Sequence, residues 1–319
     1  MVVDTEVLQQ FEQGLNPRHP ERSAMPARVL GFGEISTVLA VDVPGLRGVA
    51  LKRMPLFVDQ EEAERYIAAY EDYCRLLTAE IGLRLPDYGH AVVIGQGAEP
   101  VVYLLQEQLP ADSMGNRLIH HLRPEEVATL VRRILRELRK VWQFNARQKR
   151  LQVAIDGQIS NWAVVGQGTG KDLHETPILY VDTSTPLFRV DGVEQLDTEL
   201  FLRSAPSFLV WILRLFFLKD VVDRYYDFHR VVVDLAANFF KEQRPDLIPL
   251  VVSEANDFFA GEASDLRVAP LTEKEVAAYY RQDAFIWRLY LAMRKTDRVL
   301  RTRLLRRAYP YILPDKIKR

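Results

Sequence analysis

The sequence has one cysteine, Cys74, so no disulfide can form within the chain. It has no Cys/His group at zinc-binding spacing, which removes the structural zinc modules. It has almost no net charge: 42 Lys and Arg stand against 43 Asp and Glu, leaving −1. No overall field therefore recruits nucleic acid or an anionic surface. Long apolar runs are also missing. The most apolar stretch, 208–218, is interrupted by Arg214 and is too short to span a bilayer. Residues 1–6 lack the basic and apolar regions of a secretory leader. There is no serine nucleophile elbow and no evident Cys–His pair. Together these absences predict a cytoplasmic protein with neither a nucleic-acid nor a membrane partner. Cys74 lies in an apolar helical pattern, which favours a buried core thiol.

The chain is long enough, at 319 residues, for one large domain or two lobes with their own cores. With 48% hydrophobic and 27% charged residues, it has the composition of a globular protein. Residues 1–15 read as a short helix, ended by Asn16-Pro17-Arg18-His19-Pro20. β-type residues then dominate 27–30, 36–43 and 48–52, with glycine and proline turns between. Residues 59–81 have helical periodicity, and strands are expected at 91–95 and 101–106. After Pro110 the character changes. A long helix runs from Pro124 to about Asn145, two short strands (161–165 and 178–181) flank a glycine-rich loop, and helices fill 204–218, 221–241, 247–259 and 272–307. This predicts an α+β chain with an extension at 1–26, a sheet-rich lobe at 27–110 and a helical lobe at 111–319. Basic residues crowd the stretch 294–319, which reads as a solvated helix face.

Three segments carry chemistry. The first is Leu30-Gly31-Phe32-Gly33-Glu34-Ile35-Ser36, followed one hairpin later by Val49-Ala50-Leu51-Lys52. Glycines at 31 and 33 let backbone N–H groups approach phosphate oxygens. Lys52 ends an apolar run, where an ammonium needs a partner. The second segment is Asp156-Gly157-Gln158-Ile159-Ser160-Asn161, and the third is Ile178-Leu179-Tyr180-Val181-Asp182. These two segments place side-chain oxygens of Asp156, Asn161 and Asp182 in a loop and at a strand end.

In this order the segments resemble the protein kinase-like superfamily, in the style of the small-molecule kinases of the aminoglycoside and choline type. The resemblance covers about residues 27–190. It implies a two-lobed fold that binds ATP and magnesium and transfers a phosphoryl group to a hydroxyl of a small molecule. It places Gly31, Gly33 and Ser36 over the phosphates and Lys52 on the α and β phosphates. Glu71 is its expected carboxylate partner, with Glu64 as the alternative. Glu61 and Glu62 read as solvated first-turn acids. The strand 101–110 would carry adenine, with Gln106 as gatekeeper and backbone contacts from Glu107 and Leu109. Asp156 would orient or deprotonate the acceptor hydroxyl, and Asn161 and Asp182 would hold the metal.

The sequence also departs from the pattern. Ser36 stands at the third glycine. Ala154-Ile155 precede Asp156 where His-Arg or His-Gly is usual. Phe and Gly do not follow Asp182, and Ser184 occupies the place of a second acid. These departures leave a second expectation open, a nucleotide-binding pseudokinase that regulates or scaffolds. Gly166-Gln167-Gly168-Thr169-Gly170-Lys171 lacks the first glycine of a phosphate loop and reads as a hairpin tip. His120 and His121 read as surface residues, and His229 as a satisfied core or groove histidine. The oligomeric state is left open.

Overall fold

The computed structural model describes residues 1–33, 36–166, 173, 176–197, 199–200, 222–304 and 309–314. The helix expected at 204–218, the tip of the glycine-rich loop, His174 and the basic residues Arg306 and Arg307 lie outside the described residues.

The chain opens with α1 (Thr5–Gly14), capped by the Asp4 carboxylate, which accepts from the N–H groups of Glu6 and Val7. Five strands then build one antiparallel sheet: β1 (Ala27–Phe32), β2 (Thr37–Val41), β3 (Val49–Met54), β4 (Tyr88–Ile94) and β5 (Pro100–Glu107). Their order is β1-β2-β3-β5-β4. The meander β1-β2-β3 follows from the glycine-rich turns. Helix α2 (Gln60–Arg75) then separates β3 from the β4–β5 hairpin, which folds back so that β5 lies beside β3.

Strand β5 is buried from Pro100 to Leu105, because helices cover both sheet faces. Leu39, Leu51, Tyr103 and Leu105 pack with Leu8 and Phe11 of α1. Met54, Val102 and Leu104 pack with Ala63, Tyr66 and Tyr70 of α2. Helix α2 starts at Asp59, whose side chain accepts from the Glu62 N–H. Glu62 is not solvated as its first-turn position suggested. It is buried, and its carboxylate accepts from the Val58 N–H at 3.0 Å.

Beyond β5 come a short helix α3 (Gly115–Leu118) and the long α4 (Pro124–Asn145). Glu126 closes the start of α4 by accepting from the Arg123 N–H at 2.8 Å. Its buried residues Val127, Leu130, Val131, Ile134, Leu135, Leu138 and Val141 recur at three- and four-residue steps, as one buried stripe requires. Strands β6 (Leu151–Val153), β7 (Trp162–Val164), β8 (Ile178–Tyr180), β9 (Phe188–Val190) and β10 (Val193–Glu194) form a β7–β8 hairpin and a small sheet ordered β10-β9-β6. The second sheet was not expected, since strands of two or three residues show no readable alternation.

The single helix expected at 221–241 is divided. A turn of 3-10 helix at Arg224–Tyr226 precedes Asp227, whose carboxylate accepts from the Arg230 N–H and starts α5 (Phe228–Lys241). Helices α6 (Ile248–Ala260) and α7 (Glu273–Val299) follow. The largest apolar cluster joins α4, α5 and α6 to α2 through Tyr73 and to the turn that follows it through Leu76 and Leu77. Among the described residues no helix is long and apolar enough to cross a membrane.

Candidate functional site

Lys52 projects from β3, whose register against β5 sets it opposite Leu104. Its Nζ donates to Asp182 Oδ1 at 2.6 Å and to Ser184 Oγ at 2.8 Å. Ser184 also donates its hydroxyl (2.8 Å) and its N–H (3.3 Å) to Asp182 Oδ1. All three donors therefore converge on one carboxylate oxygen, and Oδ2 accepts none of them. Burial alone would push the Asp182 carboxyl up. The charge of Lys52 and the hydrogen bonds from Lys52 and Ser184 outweigh it and hold the group below its ordinary value.

The segment carrying Asp182 is fixed from three directions. Val181 N–H donates to the Asn161 carbonyl at 2.9 Å, extending the β7–β8 pairing by one residue. Gln106 Nε2 donates to the Val181 carbonyl at 2.9 Å, tying β5 to it. The Tyr66 hydroxyl donates to the Ser184 carbonyl at 2.8 Å. Helix α2 thus reaches this segment through a phenol.

The expected Lys52–Glu71 pair is not formed. Glu71 is on the exposed side of α2, 3.4 Å from His90 Nδ1. Glu64 is exposed as well and accepts from Gln60. The cause is helical phase: the buried face of α2 runs through Glu62, Ala63, Tyr66, Tyr70, Tyr73 and Cys74, and positions 64 and 71 fall off it. Tyr66 was the residue to find, and its place in the apolar stripe was the available signal. Cys74 is fully buried, and burial pushes its thiol up to about 12.

Asp156 and Asn161 sit on the connection between β6 and β7. Asn161 Nδ2 donates to the Asp156 carbonyl at 3.2 Å, and Gln158 N–H donates to Asp156 Oδ1 at 3.1 Å. Three side chains hold the backbone around Asp156. The buried Tyr73 hydroxyl donates to the Ala154 carbonyl at 2.9 Å. Asn145 brackets Val153, donating to its carbonyl at 2.7 Å and accepting from its N–H at 2.9 Å. Trp162 Nε1 donates to the Gly157 carbonyl at 3.3 Å. Gly157 is required by packing, since a Cβ there would stand 2.7 Å from Val231 Cγ1.

Asp234 on α5 was not anticipated. It is buried and accepts from Gln158 Nε2 at 3.3 Å, while Lys241 Nζ donates to Gln158 Oε1 at 3.1 Å. One apolar-looking helix thus delivers a carboxylate and an ammonium to the loop that carries Asp156. Desolvation, with the charges of Asp234 and Asp182, pushes the Asp156 carboxyl up to about 8. Asp234 is itself raised, by burial first and by Asp283, against the opposing pull of Arg224 and Lys241.

Gly33 N–H donates to the Ser36 carbonyl at 3.0 Å, closing the hairpin between β1 and β2. A Cβ on Gly33 would meet Ser36 Oγ at 2.7 Å, whereas one on Gly31 would meet nothing within 4 Å. Close approach at this loop therefore rests on Gly33. At the end of β5, Glu107 N–H donates to the Asp87 carbonyl at 2.8 Å and Gln108 N–H to the Gly48 carbonyl at 2.9 Å. Leu109 follows on the stretch leading to α3. His120 and His121 are exposed, and His229 is satisfied by the Ala269 carbonyl and Glu275.

The oxygen donors present are Asp182 Oδ2 and the Asn161 amide oxygen, whose nitrogen is committed to the loop. Such a set suits a hard divalent cation that retains waters. Among the described residues no group of three His, Cys, Asp or Glu could enclose a metal unaided.

The architecture is that of a mixed α/β protein with a lysine–carboxylate centre between an antiparallel sheet and a helical cluster. The chain belongs to the family described as "Family of unknown function (DUF6206)", whose model matches residues 26–298. Among solved structures it is similar to "WaaP in complex with acyl carrier protein", at 14% identity and a TM-score of 0.33, covering 71% of this chain and 100% of that one. No curated protein matches it.

Proposed function

We propose that the protein is an ATP- and magnesium-dependent phosphotransferase acting on a hydroxyl of a small molecule, with a sheet lobe at 27–110 and a helical lobe at 111–319. The observation that carries this reading is the 2.6 Å Lys52–Asp182 pair, held one backbone hydrogen bond from Asn161 and, through Asn161, next to Asp156. In this reading Gly31, Gly33 and Ser36 cover the phosphates and Lys52 binds them. The backbone of Glu107 and Leu109 holds the base, and Asn161 and Asp182 hold magnesium. The bound metal supplies neutralisation of phosphate charge. Glu71 has no part.

The acceptor hydroxyl oxygen bonds to the terminal phosphorus as the bond from that phosphorus to the ADP oxygen breaks. The hydroxyl proton passes to the Asp156 carboxylate. A carboxyl raised to about 8 is mostly protonated at neutral pH, so Asp156 accepts the proton from its ionised fraction, which grows as pH rises.

A second reading, a nucleotide-binding pseudokinase with a regulatory or scaffolding role, is favoured by one observation. Ser184, a hydroxyl in place of a second acid, is spent on Lys52 and Asp182. A thermal-shift titration with ATP, with and without magnesium, tests both readings, because a ligand of the folded state raises the midpoint by mass action. Absence of any shift at millimolar nucleotide removes both. ATP turnover with a panel of hydroxyl metabolites, comparing the native chain with Asp156→Ala, then separates them: turnover abolished by the substitution supports the enzyme, and no turnover with any acceptor supports the pseudokinase.

A further inference from the structure

Lys52 and Arg53 are neighbours in β3, so alternation sends them to opposite faces of the sheet. Lys52 faces Asp182. Arg53 faces α1 and is almost wholly buried, at 4% exposure, against Glu12 at 1%. Arg53 Nε and Nη2 donate to the two Glu12 carboxylate oxygens at 2.7 and 2.6 Å. Nη1 donates to the Pro310 carbonyl at 2.6 Å. The Tyr103 hydroxyl, directly across the sheet from Arg53, donates to Glu12 Oε2. Burial alone would lower the Arg53 guanidinium, but Glu12 and Tyr103 outweigh it and hold it above its ordinary value.

The segment that provides the Pro310 carbonyl is itself anchored. The Tyr309 hydroxyl donates to the Arg294 carbonyl at 3.4 Å, and the Arg294 guanidinium lies 4.9 Å from the Tyr311 ring centre. Ile312 joins the α1-side cluster, while Tyr309, Tyr311 and Leu313 join the α2-side cluster. The Thr37 hydroxyl donates to the Ile312 carbonyl at 3.4 Å. Thr37 pairs with Arg53 across the sheet and begins β2 immediately after the glycine hairpin. Ser36, Thr37, Arg53, Arg294, Tyr311 and Ile312 line a pocket of only about 10 Å³.

A buried ion pair adds little stability over apolar residues of similar volume. What a guanidinium adds is direction, because its donors lie in one rigid plane. We propose that Arg53 is a positioning residue: clamped between Glu12 and the Pro310 carbonyl, it fixes the rotation of β3 so that Lys52 faces Asp182, and it couples the glycine hairpin to residues 309–313. The consequence for nucleotide binding rests on the phosphotransferase reading; the consequence for β3 and the hairpin does not.

The test uses the full chain with Glu12→Leu and Arg53→Met together, which removes both charges at once. Two quantities are read: amide hydrogen exchange at residues 36–41 and 51–54 without nucleotide, and the Kd for ATP with magnesium. The expected result is a cooperatively melting protein with faster exchange at both stretches and a Kd raised about tenfold or more. A folded double variant with unchanged exchange overturns the proposal, as does faster exchange with an unchanged Kd. If the native chain binds no nucleotide, the phosphotransferase reading fails and exchange alone decides the positioning role. If the double variant does not fold, Tyr103→Phe replaces it. That change deletes one hydroxyl from the clamp, is expected to shift both readouts in the same direction by a smaller factor, and overturns the proposal if the protein folds with neither shifted.

Discussion

Lys52 Nζ and Asp182 Oδ1 lie 2.6 Å apart although 130 residues separate them in the chain. Their side chains are only 16% and 26% exposed, so removing one charge strands the other. Lys52→Met is therefore expected to lower the free energy of unfolding by about 2 kcal/mol. It is also expected to abolish the nucleotide-induced thermal shift. Denaturant titration checks the first outcome and calorimetric titration with ATP the second. Asp182→Asn should keep most of the fold and lose the magnesium dependence of any ATP shift.

The two aspartates respond to pH in opposite senses. Asp182 is held below its ordinary value, so its contribution is present above pH ~4 and is lost as pH falls through its folded value. Asp156 is raised to about 8, so the folded protein binds its proton more tightly than the unfolded chain does. Stability then falls as pH rises from ~4 toward 8. Asp156→Asn is expected to be more stable than the native chain at pH 8, by up to about 5 kcal/mol, with the difference vanishing near pH 4. Unfolding curves at pH 4.5, 6 and 8 without metal provide the check. A variant less stable than native at pH 8 would contradict the sign.

Tyr73 supports the loop from below. Tyr73→Phe removes the hydroxyl that donates to the Ala154 carbonyl and should cost about 1–2 kcal/mol of stability. Because the hydroxyl acts on the Asp156 loop and not on Lys52, turnover is expected to fall more than nucleotide affinity. Steady-state kinetics that separate kcat from KM read the difference.

Glycines in the two motifs are expected to behave differently. Gly157→Ala drives a Cβ to 2.7 Å from Val231 Cγ1, a stiff β-branched contact, and should destabilise the fold by about 1–3 kcal/mol. Gly31→Ala meets open space and should leave the melting temperature within about 2 °C of native. Parallel thermal melts of the two variants decide this.

Much of this arrangement was legible in the sequence because it is local. Turn glycines and β-rich runs mark β1, β2 and β3, the Pro124 start marks α4, and the loop between β6 and β7 holds Asp156 and Asn161 at fixed spacing. The Lys52–Glu71 pairing was not legible, because it depends on helical phase: the buried face of α2 passes through Tyr66, two positions out of phase with Glu64 and well off Glu71. Asp234 was hidden in an apolar helix, where one acid among valines gives no clue to what faces it. The Arg53–Glu12–Pro310 clamp joins three segments with no common pattern, so only the folded chain brings it into view.

That clamp also sets an order in time. Arg53 and Pro310 are 257 residues apart, so at ~5–20 residues per second of synthesis the Arg53 Nη1 donor waits roughly 13–50 s for its acceptor. Until then the segment whose Ile312 carbonyl accepts from the Thr37 hydroxyl has not been made. A strand made early thus receives its last partner late.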